Sequence, residues 1–174
     1  EVNCRNFCEG INFYGERLPE GVAHTETFAR EARYEFFERC SKRFNSEIVL
    51  TAHNANDNAE TVYYRLTKGT GIKGLEGICE HRGIFYRPLL SVYRSEIEGY
   101  CRDRGLTPNI DSSNFDTKFI RNKIRNEIFP KMLEVSPDFI KNLNALSYSA
   151  RRFGESLECR LKNLEAYSTQ EFCD

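Results

Sequence analysis

A chain of 174 residues, 40% of them apolar, is long enough to bury a substantial core as one domain, or as a core domain carrying a helical appendage. Its 25 Lys and Arg against 26 Asp and Glu leave a net charge of −1, which excludes a globally basic nucleic-acid coat, so any basic surface has to be local. Seven scattered cysteines without a Cys-x-x-Cys pair argue against a disulfide framework and against a zinc or iron–sulfur site; they fit a reducing, cytoplasmic setting, and no signal peptide or membrane-length apolar run is visible.

In chain order, Val2 to Phe7 reads as a strand and Gly10 to Gly21 as a polar, glycine-bearing loop. Thr25 or Thr27 can cap a helix whose apolar face runs Phe28, Ala32, Phe36, Phe37 and Cys40. Arg30, Arg33 and Arg43 on that helix are either solvated or, one turn from buried aromatics, aimed at a ligand. Ile48 to Leu50 reads as a short buried strand, and the polar residues behind it emerge at its carboxyl end, where open α/β sheets bind ligands. Asp57 stands where an N-cap belongs, with Glu60 three residues on and a helix from Asn58 to about Lys68. A capping box explains that pair, yet His53 and the run Asn54, Asn56, Asn58 exceed what one helix start needs. Lys68 to Gly77 is a glycine-punctuated loop, either a plain turn or bare backbone that a phosphate can approach. Ile84 to Leu90 reads as a strand ended by Pro88, and Ser95 caps a helix through Ile97 and Cys101 to Gly105. Strands alternating with helices imply an α/β fold with a parallel sheet.

From Asp111 the character changes. Asp111 to Asn114 is a turn-rich connector, and Asp116 or Thr117 can cap a helix on which Ile120, Ile124 and Ile128 face a core. Lys118, Arg121 and Arg125 share another face of that helix, with Asn122 and Asn126 between them, giving a basic stripe that is solvated or contacts phosphates. After Pro137 the pattern is an amphipathic helix through Phe139, Leu143, Leu146, Phe153, Leu157, Leu161 and Leu164.

Six segments occur in series: Ala29 to Phe37, Ala52 to Thr61, Lys68 to Gly77, Arg87-Pro-Leu-Leu90, Asp111-Ser-Ser-Asn114, and Arg121-Asn-Lys-Ile-Arg125 with Pro130. Together they resemble the catalytic domain of bacterial tRNA(Ile)-lysidine synthetases, within the N-type ATP-pyrophosphatase (PP-loop) group, over roughly residues 25 to 133. The resemblance implies a Rossmann-like fold of the adenine nucleotide alpha hydrolase kind: residues 1–133 form the C-terminal part of the catalytic domain, and 134–174 a helical linker or the start of a second helical domain. It implies that ATP, with magnesium, adenylates the wobble cytidine of the CAU anticodon of tRNA(Ile), and that the side-chain amine of L-lysine then displaces AMP. A homodimer is one assembly open to such a protein, and no membrane is involved. Arg33 and Arg125 match cationic clamps on developing phosphate charge, and Asp57 and Glu60 suit the cradle for an ammonium that must lose a proton. His53, Arg33, Gly69, Thr70 and Gly71 are expected at the nucleotide, and Lys118, Arg121, Asn122 and Arg125 at the RNA; the metal ligands are left unassigned.

Two departures stand out. No Gly-Gly pair occurs in the chain, so the Ser-Gly-Gly-x-Asp-Ser loop of the group is expected upstream of Glu1, and the 174 residues alone are expected to be inactive. Asn54 and Asn56 stand where the family commonly shows His and Asp, with Asp57 retained. Two rivals remain: a tRNA-thiolating PP-loop enzyme, against which the spacing of Cys4 and Cys8 speaks, and a catalytically inactive RNA-binding relative.

Overall fold

The computed structural model describes residues 10–17, 25–108 and 119–170, of which Glu26 and 163–170 by backbone only. The expected strand at Val2 to Phe7, the connector at Asp111 to Asn114, both candidate caps Asp116 and Thr117, and Lys118 lie outside those residues. Helix α1 spans Glu26–Arg43, and of its two candidate caps Thr25 serves, its hydroxyl accepting the Phe28 N–H at 3.1 Å. The loop before it folds back on the helix, where Tyr14 stacks on Phe36 with ring centroids 5.8 Å apart.

Strand β1 is only Val49–Leu50, and Leu50 is 67% exposed, so the expected buried strand is instead an exposed one among the described residues. The strand expected over Ile84 to Leu90 shrinks to β3, Phe85–Tyr86, because Gly83 at φ 60 turns the chain into it from β2, His81–Arg82. The sheet order is β1-β3-β2, with Val49 opposite Phe85 in parallel and His81 opposite Tyr86 in antiparallel pairing. Among the described residues the sheet is therefore small and mixed, with the expected parallel pairing between β1 and β3 and an antiparallel β2 at its edge.

Helix α2, Ala55–Lys68, begins three residues before the expected start. Asn54 is the cap: its side-chain oxygen accepts from the Asn56 and Asp57 N–H groups, and the Asp57 carboxylate returns to the Asn54 N–H at 3.0 Å. Asp57 is thus the third residue of a reciprocal capping box and not its cap. The asparagine run has long-range partners. Asn56 accepts the Arg94 N–H at 3.0 Å at the start of α4, Arg94–Asp103. Asn58 is buried, donating to Asn144 at 2.8 Å and accepting from the Ile78 N–H at 2.7 Å. Helix α4 is not capped by Ser95, which lies within its first turn; the Glu96 carboxylate takes the Tyr93 N–H at 2.7 Å.

The glycine-punctuated loop contains a single turn, α3, Ile72–Leu75, and reverses at Gly77 with φ 70. A Cβ on Gly77 would meet Asn58 Oδ1 at 2.2 Å and Ser147 Oγ at 2.8 Å, whereas one on Gly71 would meet nothing within 4 Å. Gly77→Ala is therefore expected to cost about 2 kcal/mol or more in urea unfolding, combining a left-handed backbone with a broken buried amide network. Gly71→Ala should be close to neutral by the same measurement.

The basic segment is helical from Ile120 to Val135 but not uniformly α: α5, Ile120–Lys123, runs into a π turn at Ile124–Ile128 and then α6, Phe129–Val135. The Phe129 N–H reaches the Ile124 carbonyl, five residues back. Pro130 has no N–H for the carbonyl one turn before it and its ring crowds that carbonyl, a local reason for the wider turn. Ile124, 1% exposed, joins Ala59, Val62, Phe129 and Leu143 in the core, with Ile128 packed on it, but Ile120 is 42% exposed and does not face the core as expected. Tyr63, Phe129 and Phe139 close this core edge to face, their centroids 5.4 to 6.0 Å apart.

Helix α7, Phe139–Gln170, contributes Leu143 to the same core and lays Ser147 and Ala150 against α2 and α3. Its apolar stripe does not stay buried along its length: Leu146, Phe153, Leu157 and Leu161 are exposed, and the side chain of Leu164 lies outside the described residues. Among the described residues no helix is long and apolar enough to cross a membrane.

Candidate functional site

A cavity of about 590 Å³ opens between α1, the carboxyl end of β1, the first turns of α2, and the helical run from Phe119 to Arg125. Its location follows from the chain. β1 delivers Thr51 to His53 at its carboxyl end, Asn54 starts α2 immediately behind, and the first inward turn of α2 presents Asp57 and Glu60.

The cavity brings together His53, Asp57, Glu60, Arg33, Arg121, Asn122 and Arg125, seven of the expected site residues. It does not include Gly69, Thr70 or Gly71, which sit past the other end of α2, about 18 Å of helix from Asp57 at 1.5 Å per residue. That loop, expected beside the nucleotide, therefore does not line this cavity.

Arg125 departs most from expectation. Instead of pointing outward in a basic stripe, its guanidinium turns inward: Nε donates to Glu60 Oε1 at 2.6 Å, and Nη2 to Glu60 Oε2 at 2.9 Å and Asp57 Oδ1 at 2.9 Å. Arg121 and Arg125 still share a face, one turn apart, but that face lines the cavity, where the Asp57 and Glu60 carboxylates draw the guanidinium in. Glu60 is only 4% exposed, and one guanidinium shared by two carboxylates leaves the trio one net negative charge. Burial pushes the Glu60 carboxyl above its ordinary range, and Arg125, pulling the other way, offsets only part of that rise. For Arg125 burial opposes the charge, and the contacts to Glu60 and Asp57 outweigh it, so its pKa lies above the ordinary value.

His53 Nδ1 lies 3.0 Å from the Thr51 hydroxyl. Burial lowers its pKa from the usual 6.5, Asp57 works against that, and Arg87, Arg30 and Arg121 lower it further, so the ring is held neutral. Below pH 6.5 the unfolded chain takes up this proton while the folded state resists it, so the stability tied to His53 is present above that pH and lost as pH falls. Urea midpoints at pH 7, 6 and 5 are expected to fall more steeply for the wild type than for His53→Gln.

Some cavity residues were not expected. Tyr34 and Phe37 line it from the stripe of α1 that also carries Arg30 and the expected Arg33, and that i, i+3, i+4, i+7 spacing was the available signal, overshadowed by the apolar positions on the neighbouring face. Phe119 closes the opposite side. Among the described residues no group of three or more His, Cys, Asp or Glu side chains could hold a metal ion, and both cavity carboxylates accept from Arg125.

A family model described as the PP-loop domain matches residues 2–132. The chain belongs to the PP-loop domain family. Curated relatives named tRNA(Ile)-lysidine synthase match over most of this PP-loop chain. The protein of Clostridium acetobutylicum is 41% identical over 84% of this chain and 34% of its own length, that of Clostridium perfringens 44% over 77% and 29%, and that of Clostridium tetani 34% over 99% and 38%. The chain thus spans about a third of the length of these relatives. Among solved structures, the U34-tRNA thiolase NcsA from Methanococcus maripaludis with its [4Fe-4S] cluster superposes with a TM-score of 0.61 at 16% identity, over 88% of this chain and 55% of that one. That likeness supports the PP-loop fold with its helices and small mixed sheet.

Proposed function

We propose that the protein uses ATP to adenylate the wobble cytidine of the CAU anticodon of tRNA(Ile) and then ligates L-lysine to it, forming lysidine in the cytoplasm. One observation carries this reading: one cavity of a PP-loop domain similar to lysidine synthases holds a carboxylate pair, Glu60 buried and Asp57 half-buried, on one wall and guanidinium groups with a neutral imidazole on the others.

The division suits a two-step reaction. In the first step the cytidine carbonyl oxygen bonds to the α-phosphorus of ATP and pyrophosphate leaves, so negative charge grows on phosphate oxygens; Arg33 and Arg121 line the cavity where such charge would be met. In the second the lysine side-chain amine bonds to the cytidine ring carbon and AMP leaves. That amine arrives as an ammonium, drawn to the net negative charge of Asp57, Glu60 and Arg125, and has to give up a proton before it attacks. Glu60, whose carboxyl is pushed up by burial, is suited to accept that proton. The base has to be unstacked, a demand more easily met in a single-stranded anticodon loop.

The decisive experiment incubates the full-length protein with ATP, labelled lysine and a CAU-anticodon tRNA(Ile) transcript. Label entering the tRNA together with release of AMP and pyrophosphate supports the reading. ATP cleavage that needs a sulfur donor, or tRNA binding with no chemistry, would sink it in favour of a thiolating enzyme or an inactive relative. The described cysteines, Cys40, Cys79, Cys101 and Cys159, are all free thiols and form no cluster.

A further inference from the structure

We propose that Arg87 is a positioning residue for the cavity: from behind its wall it fixes the Tyr34 ring by the hydroxyl. The proposal takes its substrate from the reading above, but its geometry stands independently. Arg87 follows β3 and is 7% exposed, and among the described residues no carboxylate pairs with it. Its Nη1 donates to the Cys79 carbonyl at 2.8 Å and its Nη2 to the Tyr34 hydroxyl at 3.3 Å, while Nε is buried without a partner. Burying a guanidinium without a counter-charge is costly, and tying down a hairpin carbonyl can be done by a neutral donor. The charge therefore calls for another use.

Tyr34 supplies it. The ring lines the cavity, meets Phe85 edge-on with centroids 4.8 Å apart, and lies under the Arg30 guanidinium at 5.0 Å. Its hydroxyl bond to Arg87 fixes the remaining freedom of a ring already held on its edge and face, and so sets the shape of the wall that Arg30 and Arg33 share. The charge is also felt across the cavity: of the three guanidinium groups that disfavour protonation of His53, Arg87 acts most strongly, ahead of Arg30 and Arg121, with Asp57 opposing them. One buried cation thereby orders an aromatic wall and adds to the burial that keeps the neighbouring imidazole neutral.

The test compares Tyr34→Phe, which removes only the hydroxyl, with Arg87→Met, Arg87→Lys and the Tyr34→Phe/Arg87→Met double variant in the full-length protein. In the ligand-free protein, NMR titration of His53, assigned against His53→Gln, is expected to shift upward in Arg87→Met and to stay at the wild-type midpoint in Tyr34→Phe and Arg87→Lys. In single-turnover adenylation of the CAU-anticodon tRNA, the ATP concentration for half-maximal rate is expected to rise about tenfold in Arg87→Met and less in Tyr34→Phe, with the double variant no worse than Arg87→Met. A His53 midpoint unmoved by Arg87→Met, or losses that multiply in the double variant, would reduce Arg87 to a clamp on the hairpin. Should Arg87→Met fail to fold, the same cycle run with Arg87→Lys, which keeps the charge but not the two-pronged contact, decides the coupling to Tyr34. A wild type that adenylates no tRNA overturns the functional reading instead, and the His53 titration, which needs no substrate, still decides the role of Arg87.

Discussion

Arg125→Met is expected to lower stability at pH 7 by about 3 kcal/mol, because it strands a buried carboxylate. Glu60 is 4% exposed and takes two of the three hydrogen bonds that Arg125 donates; without the guanidinium it has to stay charged in a poorly solvated place or bind a proton. Burial already raises its pKa, and removing the partner that pulls it down raises it further. In a carboxyl group so raised, the folded state holds a proton that the unfolded state has released, so the loss should be largest at neutral pH and shrink as pH falls through the raised value. Denaturant unfolding at pH 5 and pH 7 checks the sign. Adding Glu60→Gln should recover most of the lost stability at pH 7 without recovering lysidine formation, since the double variant has no charge to strand and no base to offer. If Arg125→Met is as stable at pH 7 as the wild type, the inward ion pair does not form in solution.

Asp57→Asn is expected to reduce lysidine formation by about a hundredfold while costing about 1 kcal/mol or less of stability. The asparagine oxygen can still receive the Asn54 N–H that closes the capping box, so the start of α2 survives. What is lost is the charge that Arg125 shares and that would help to draw an ammonium into the cavity. Lysine incorporation measured beside thermal melting separates the two effects. Activity within twofold of wild type with unchanged melting would make Asp57 a structural residue of the capping box.

How far the sequence could be read depended on the range of the interactions involved. Helix α1 was legible because its signals are local: Thr25 three residues from the N–H it receives, and apolar positions recurring every three or four. The start of α2 was misplaced by three residues because Asn54 and Asp57 both carry a side-chain oxygen suited to capping, and only the backbone shows which one stands outside the first turn. The asparagine run looked like surplus polarity because its partners, Arg94 and Asn144, are 38 and 86 residues away. Two of the described strands, Val49–Leu50 and Phe85–Tyr86, lie inside the expected ones, but two residues cannot display an alternation that would set their bounds, and the pairing of Val49 with Phe85 is not local. At the cavity, the polar residues behind β1 and the arginines Arg33, Arg121 and Arg125 were legible from their motifs, whereas the aromatic wall of Tyr34 and Phe119 was not, because neither ring carries a local signal of its own.

The π turn at Ile124–Ile128 bears on how the chain can vary in length. A helix with i→i+5 bonding in one turn is an α-helix carrying one residue more than its register requires. Deleting a single residue there would let the segment anneal into continuous α-helix instead of breaking it, but would rotate the residues before the deletion by about 100° relative to α6. With Phe129 and Pro130 anchored, that rotation takes the guanidinium at 125 away from Asp57 and Glu60 while leaving a well-formed rod behind. Among relatives, the length of this segment is therefore the feature to inspect: a chain one residue shorter between the homologues of Arg121 and Pro130 can keep every cavity residue type and yet lose the arrangement that brings the guanidinium to the carboxylates.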